Sequence, residues 1–464
     1  MTTGTRELQL FDVGDPVAVL GLGASGTAAA RLVHALGGHV YASDAGAGDN
    51  QTEAVARLRE EGIEAQAGAH DMERILAARL VVTSPGIDPS SEVRRSVMEA
   101  GLRTVSEIEV AARHLRSRVI GITGTNGKTT TTALCGHVLR EAGVDAITAG
   151  NIGRPLSDVA ILDHHPEWVV VELSSFQLAD LEIFAPTIGM LLNLAPDHLD
   201  RYSSLDRYYA DKARLFANAT DDSLWVLNGD DGTVLDLTRN VRGEPHLASL
   251  APKEADGAFL DADGWLCRRA HGAVERWLPA HDLRLIGLHN VMNALLAGLG
   301  AALAGCCTAA IGRGLASFEG LPHRLRPVGE FEGVLWVNDS KGTNLSATRV
   351  ALASFDRPLV VILGGRHKGE PYTSLLPSLE GARGVVAFGE AAPLIVSHLA
   401  DEVPLEVAGG LEEAIRRART LARPGDVVLF SPACSSYDMF PSYAVRGDAF
   451  EAAVRTLHAG GEAA

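Results

Sequence analysis

The chain is short of positive charge, of cysteine and of long apolar runs, and each shortage closes off a class of function. Among its 464 residues, 41 are basic and 58 acidic, giving a formal net charge of −17. Nonspecific nucleic-acid binding needs a basic face that displaces counterions from phosphates, so no nucleic-acid partner is expected. An anionic ligand in a local pocket is still allowed. The five cysteines (Cys135, Cys267, Cys306, Cys307 and Cys434) are scattered and contain no CxxC pair. That argues against a disulfide framework and for a reducing, cytoplasmic setting. The histidines show no zinc spacing with them. No stretch approaches the ~18 consecutive apolar residues of a membrane span. The N-terminus, MTTGTRELQLFDVGD, has no basic segment followed by an apolar core. Neither a membrane partner nor a signal peptide is expected.

What is present is an alternation. Hydrophobic residues make up 46% and charged residues 21%, a globular balance, and the length predicts two to four domains at roughly 100–200 residues each. Apolar runs at 17–20, 80–83, 119–123, 168–171, 188–192, 224–227, 335–337, 359–363, 385–388 and 427–430 are separated by helix-length amphipathic segments. Many of these runs are rich in Val, Ile and Leu without polar alternation, as in parallel strands buried on both faces. The fold class is therefore α/β, built from βαβ units. Three blocks are expected: residues 1–112, 113–320 and 321–464, the last following a Gly/Pro linker at 319–324. The turn-rich stretch 240–285 reads as a small antiparallel addition.

The unusual polar residues gather where strands end. GLGASG follows the first run, TGTNGKTTT follows 119–123, ELSS closes 168–171 and NLAPDHLDRY follows 188–192. NDSKGTN, GGRHKG and SPACSS each follow a strand of the last block. Open parallel sheets bind ligands outside the carboxyl ends of their strands. Gly21-Leu22-Gly23-Ala24-Ser25-Gly26 is a GxGxxG turn between strand and helix. With Asp44 about 20 residues beyond, it predicts a diphosphate held at a helix N-terminus. The motif does not say which dinucleotide or diphosphate; a tight turn without ligand is its plain alternative.

Thr123-Gly124-Thr125-Asn126-Gly127-Lys128-Thr129-Thr130 carries the strongest chemistry. It resembles a P-loop, in which backbone amides cradle phosphates, Lys128 neutralises them and the Thr129 hydroxyl ligates Mg²⁺. The strict GxxxxGK[ST] spacing fails, because Ile122 stands where the first glycine belongs. Glu172, at a strand end, is suited to complete an oxygen shell around Mg²⁺. His198 sits among acidic neighbours in Asp197-His198-Leu199-Asp200-Arg201 and is a candidate ligand or substrate contact. Lys212, in YYADKARLF, reads from its residues alone as a solvated helix lysine. Cys434 reads as a buried, inert thiol.

Together these segments resemble the ATP-dependent Mur ligases of peptidoglycan synthesis. The loop TGTNGKTT is shared in part with folylpolyglutamate synthetases. ELSSFQL (172–178), NLAPDHLDRY (193–202), HNVMNALLA (289–297), LPHRL (321–325), NDSKGTN (338–344) and SPACSSYDMFPSYAVRG (431–447) extend the likeness over nearly the whole chain. Within the family they are most similar to the members that add D-glutamate to UDP-N-acetylmuramoyl-L-alanine. The resemblance implies a Rossmann-like N-terminal domain for the UDP-substrate, a central P-loop-type parallel-sheet ATPase domain and a C-terminal α/β domain that closes over ATP and admits the amino acid. It implies a cytoplasmic monomer that uses ATP and two Mg²⁺ ions.

It also implies residues. Gly124, Thr125, Asn126, Gly127, Lys128, Thr129 and Thr130 would bind ATP, with Asn290, Asn293, Arg324 and Asp339. Thr129, Glu172, His198 and Lys212 would serve the metals, Lys212 as a carbamate. That reverses the plain reading of this lysine. Lys341 would lie near the phosphates. Gly23, Ala24, Ser25, Asp44, Ser84 and Asn151 would meet the UDP-substrate, and Thr343, Lys368, Ser436 and Tyr443 the D-glutamate. The chain departs from the family pattern at Ala45-Gly46, where some members carry longer polar side chains, and at Tyr437 and Tyr443, where others often have Leu and Phe. The implied chemistry is amide formation through an acyl phosphate. The competing readings are a nicotinamide-dependent oxidoreductase, which leaves TGTNGKTT unexplained, a P-loop switch without turnover, and a folyl ligase.

Overall fold

The computed structural model describes residues 9–197, 201, 202 and 204–459. It has three sheets. The first is all-parallel, from β1 (Pro16–Leu20), β2 (His39–Asp44), β3 (Glu64–Ala67), β4 (Leu80–Thr83) and β5 (Thr104–Ser106), in the order β3-β2-β1-β4-β5. The chain leaves β1 toward one edge and later returns to its other side, so a switch point lies between β1 and β4.

The second sheet contains β6 (Arg118–Thr123), β7 (Ala146–Gly150), β8 (Trp168–Glu172), β9 (Ile188–Leu191), β10 (Leu224–Asn228), β11 (Glu244–Ser249), β12 (Gly257–Leu260), β13 (Trp265–Ala270) and β14 (Ala273–Pro279). Their order is β14-β13-β12-β11-β10-β9-β6-β8-β7. Every pairing is parallel from β7 to β12, and β12, β13 and β14 pair antiparallel. The expected antiparallel addition is therefore the meander β12–β14, entered from a parallel β11. β14 ends the sheet with its first four residues exposed and Trp277 and Leu278 buried. Arg276 on it bonds Asp261 at 2.7 Å.

The third sheet comprises β15 (Arg326–Phe331), β16 (Val334–Asn338), β17 (Leu359–Gly364), β18 (Gly384–Phe388), β19 (Leu405–Val407) and β20 (Val427–Phe430). Its order is β15-β16-β20-β17-β18-β19, parallel except for β15. The apolar runs behave as two-sided burial demands: Val169, Val170 and Val171 are fully buried, as are Val360, Val361 and Ile362.

The chain forms two compact units, Met1–Ala280 with Met292–Ala316, and His281–Val291 with Ser317–Ala464. The first two sheets share one unit and one hydrophobic core, which runs from Val19 and Val82 through Val171 to Trp225. Two buried carboxylates on one helix, Glu107–His114, fasten the seam. Glu109 accepts the backbone N–H groups of Glu182, Ile183 and Phe184 at 2.9, 3.2 and 3.2 Å, and Arg113 at 2.7 Å. Glu107 accepts the Ser157 N–H at 2.6 Å, and its Oε2 has no partner among the described residues. Burial pushes its carboxyl up to about 7, because the charged form loses its hydration.

Candidate active site

Four helices matter for the site: α1 (Ala24–Ala35), α2 (Lys128–Glu141), α3 (Leu205–Ala213) and α4 (Leu288–Leu303). The loop between β6 and α2 makes two turns that favour glycine, at Gly124 (φ +156°) and Gly127 (φ +81°). A Cβ on Gly127 would stand 2.5 Å from the Asn293 Oδ1. Asn293, on α4, also accepts from the Thr131 hydroxyl at 3.2 Å. It thus braces the start of α2. Helices leave their first-turn N–H groups without intrahelical acceptors, so this end offers donors to an anion.

Two ammonium groups converge on one carbonyl. Lys128 Nζ donates to the Gly124 and Thr125 carbonyls at 2.9 and 2.8 Å. Lys212 Nζ, from α3, donates to the same Gly124 carbonyl at 2.7 Å. The expectation of a solvated lysine fails: Lys212 is 1% exposed, stacked on the Tyr208 ring at 4.6 Å. Tyr208 itself donates to the Thr125 hydroxyl at 3.3 Å. Burial and the Lys128 charge hold the Lys212 amine well below its ordinary range, with Asp197 and Glu172 opposing.

Glu172 ends β8 and is 2% exposed. Its Oε1 accepts the Asn151 Nδ2 at 3.1 Å, and its Oε2 is buried with no partner among the described residues. A buried carboxylate oxygen left unanswered is costly, and a hard cation fits it. Lys128, Glu172 and Lys212 are therefore assembled around the β6–α2 loop. His198 lies outside the described residues. Asn151, expected at the UDP-substrate, bonds Glu172 and so ties that region to the metal-type carboxylate.

At the first sheet, the three glycines of the β1–α1 turn differ. A Cβ on Gly26 would fall 1.9 Å from the Gly21 carbonyl oxygen, whereas one on Gly23 would meet nothing within 4 Å. Gly26 lets helix pack on strand, and Gly23 leaves open space above the turn for a ligand to approach. Asp44 accepts the Leu22 and Gly46 N–H groups, both at 2.8 Å. Ser84, after β4, borders the same turn, and its buried hydroxyl has no partner among the described residues.

In the second unit, the loops after β16, β17 and β20 meet. Lys341 Nζ lies 3.9 Å above the Tyr443 ring, and the Ser340 hydroxyl donates to the Tyr443 carbonyl at 2.8 Å. Arg446, fully buried, donates to Ser340 Oγ, Ser340 O and Cys434 O at 3.0, 2.8 and 3.1 Å. Arg366 and Ser435 exchange backbone hydrogen bonds at 2.9 and 3.1 Å, which joins the segments bearing Lys368 and Ser436. Asp339 accepts from the Ser431 hydroxyl and the Leu325 N–H at 2.7 and 3.3 Å, and burial lifts it to about 7. Thr343 closes the turn by donating its N–H to Lys341 O at 2.8 Å. Asn290 donates to the Ile286 carbonyl at 2.8 Å. Cys434 is buried against the Tyr372 hydroxyl at 2.8 Å, its thiol pushed up to about 11 by burial.

Three domain families match along the chain: the Mur ligase MurD-like N-terminal domain over 15–106, the Mur ligase middle domain over 122–301, and the Mur ligase glutamate ligase domain over 323–434. A UDP-N-acetylmuramoylalanine–D-glutamate ligase of Salinibacter ruber is 42% identical over 451 residues, 95% of this chain and 97% of that protein. The chain belongs to the Mur ligase family. A second such ligase, of Acidobacterium capsulatum, is 40% identical over 94% of this Mur ligase and 95% of its own length.

Solved structures agree in fold. A pseudomurein peptide ligase type C from Methanothermus fervidus aligns with TM-score 0.60 at 18% identity, covering 96% of this chain and all of that one. The UDP-N-acetylmuramate-alanine ligase of Thermotoga maritima aligns with TM-score 0.60 at 20%, covering 95% and 99%. Sequence reasoning on this Mur ligase passed over Asn193, Tyr208 and Arg446. Asn193 and Arg446 act on backbone groups far away in the chain, a role no local pattern announces. Tyr208 had one available signal, its helical spacing to Lys212.

Proposed function

We propose that this Mur ligase joins D-glutamate to UDP-N-acetylmuramoyl-L-alanine at the expense of ATP, releasing ADP and phosphate, in the making of peptidoglycan precursors. The single observation that carries the catalytic reading is the convergence of Lys128 and Lys212 on the Gly124 carbonyl beside the orphaned Glu172 oxygen. The reaction brings a carboxylate to a triphosphate, both anions, and a site for it must concentrate positive charge in a dry setting. The substrate carboxylate oxygen attacks the terminal phosphorus and ADP leaves. The D-glutamate amine then attacks the acyl phosphate, losing a proton, and phosphate departs as the C–N bond forms.

In this reading Gly127 to Thr130 hold the phosphates and Lys128 neutralises them. Thr129, Glu172, His198 and Lys212 hold two Mg²⁺ ions, which when bound offset phosphate charge. Lys212 serves as a carbamate: its neutral amine adds to CO₂, an N–C bond forms and a proton is released. The buried, depressed amine supports this, because only the unprotonated form reacts. Asn290, Arg324, Asp339 and Lys341 serve the nucleotide. Thr343, Lys368, Ser436 and Tyr443 receive D-glutamate, and Gly23, Ala24, Ser25, Asp44, Ser84 and Asn151 the UDP-substrate. Residues 1–112, 113–320 and 321–464 are the corresponding domains of a cytoplasmic monomer. No described helix is long and apolar enough to cross a membrane.

The test is phosphate release from ATP with UDP-N-acetylmuramoyl-L-alanine and a panel of D- and L-amino acids. Release is expected with D-glutamate. Release without any amino acid, or only with a folate and L-glutamate, would overturn the assignment.

A further inference from the structure

The β6–α2 loop lacks the first glycine of a strict P-loop, and its middle is held by a side chain from elsewhere. Asn193, just after β9, pairs with both backbone groups of Asn126. Its Oδ1 accepts the Asn126 N–H at 2.8 Å, and its Nδ2 donates to the Asn126 carbonyl at 3.0 Å. Its own carbonyl accepts the Thr125 N–H at 3.0 Å. The next turn of chain repeats the embrace: the Thr125 hydroxyl donates to the Ala195 carbonyl and accepts the Ala195 N–H, both at 3.0 Å. The segment that carries Asn193 is anchored in turn, since Asn228 Nδ2 donates to the Leu192 carbonyl and Asp231 accepts the Leu194 N–H, both at 2.9 Å.

This pairing divides the loop. The Thr125 and Asn126 N–H groups face the β9 loop and are already answered, so the phosphate-facing donors are those from Gly127 onward. A Cβ on Gly124 would come within 3.0 Å of the Leu192 Cβ, so the loop and the β9 segment are packed as one piece. We propose that Asn193 is a positioning residue for the nucleotide: its amide splints the Asn126 peptide and thereby sets the height of the Gly127–Thr130 cradle under the phosphates. The inference rests on the ATP-dependent reading above.

The test uses the full chain with MgADP as probe, titrated by calorimetry, beside steady-state kinetics. Loss of a two-point splint at a phosphate site predicts an ADP dissociation constant raised ~10-fold in Asn193→Ala, with KM for ATP raised in parallel. KM for D-glutamate stays within about twofold, because the bonds of the Asn193 side chain go to the nucleotide loop. Asn193→Asp keeps the acceptor for the Asn126 N–H but turns an oxygen toward the Asn126 carbonyl, and is expected to weaken ADP at least as much. Hydrogen exchange adds a readout free of turnover: the Asn126 amide, bonded to the Asn193 side chain, exchanges at least ~10-fold faster in Asn193→Ala, while the Thr125 amide, bonded to the backbone carbonyl that alanine keeps, stays protected. Unchanged ADP affinity in both variants overturns the proposal and leaves the ligase reading intact, as does an equal rise in both KM values. A parent chain that binds no MgADP overturns the ligase reading itself.

Discussion

The β1–α1 turn and the β6–α2 loop are the same device at the backbone level: a buried strand, a glycine-bearing bend and a helix whose first turn faces outward. They differ in what surrounds the bend. At the first, Asp44 answers the Leu22 and Gly46 N–H groups. At the second, Lys128 and Lys212 bond one carbonyl, and one Glu172 oxygen has no partner among the described residues. The shared backbone supplies only a place where a phosphate can sit. The side chains decide whether the phosphate is gripped as part of a body to be held or exposed as a group to be transferred.

The sharpest way to break this contrast is to remove the charge from the second bend. Lys128→Ala is expected to lose at least ~100-fold in turnover, measured as phosphate release, since one electrostatic contact of this kind is worth roughly 3–4 kcal/mol in the transition state. Next comes steric damage to the first bend. Gly26→Ala forces a Cβ to 1.9 Å from a carbonyl oxygen and should cost about 3 kcal/mol, read as a fall in the denaturation midpoint. Gly23→Ala meets nothing. It should leave the midpoint unchanged but raise KM for the UDP-substrate ~10-fold, with ADP binding untouched. Equal stability losses at Gly23 and Gly26 would erase the distinction between packing and approach.

The smallest effect lies in the seam that joins the two sheets. Glu107 has a folded value near 7 against an ordinary 4.5. Between those limits the native chain holds a proton that the unfolded chain has lost, so stability falls as pH rises through the window. Glu107→Gln keeps the acceptor for the Ser157 N–H and removes the titration. It should flatten the fall in stability between pH 5 and pH 8, so that the variant gains on the parent as pH rises, followed by denaturant melts at both.

Much of this is legible in the sequence. The ten apolar runs fall within or against observed strands, because two-sided burial leaves an uninterrupted Val/Ile/Leu signature. The two bends were legible because glycine and lysine act locally. The strands that escaped are those with little apolar run to show: β3 is EAQA, β19 is LEV. Lys212 shows the limit most clearly. Its own segment is charged and amphipathic, and only resemblance set it at a metal. Its burial comes from the loop bearing Gly124, far off in sequence, and from Tyr208 one turn away. Asn193 and Arg446 were invisible for the same reason: each serves backbone atoms supplied by another part of the chain. The seam carboxylates carry no local signal, since nothing in EIEVAARH says which of its glutamates collects the N–H groups of 182–184.

The nine-stranded sheet carries one more lesson at its outer margin. A long open sheet invites a neighbouring molecule to add a strand where its ladder stops. Here the terminal strand, β14, exposes Glu275 and Arg276 before the buried Trp277, and Arg276 is clasped by Asp261 and Asp263 of the β12–β13 turn. Any newcomer would have to strip those ions of their partners and water before gaining its first ladder bond. The meander β12–β14 therefore works as a selvedge: it finishes the weave of the nine-stranded sheet with charge where a new strand would have to dock.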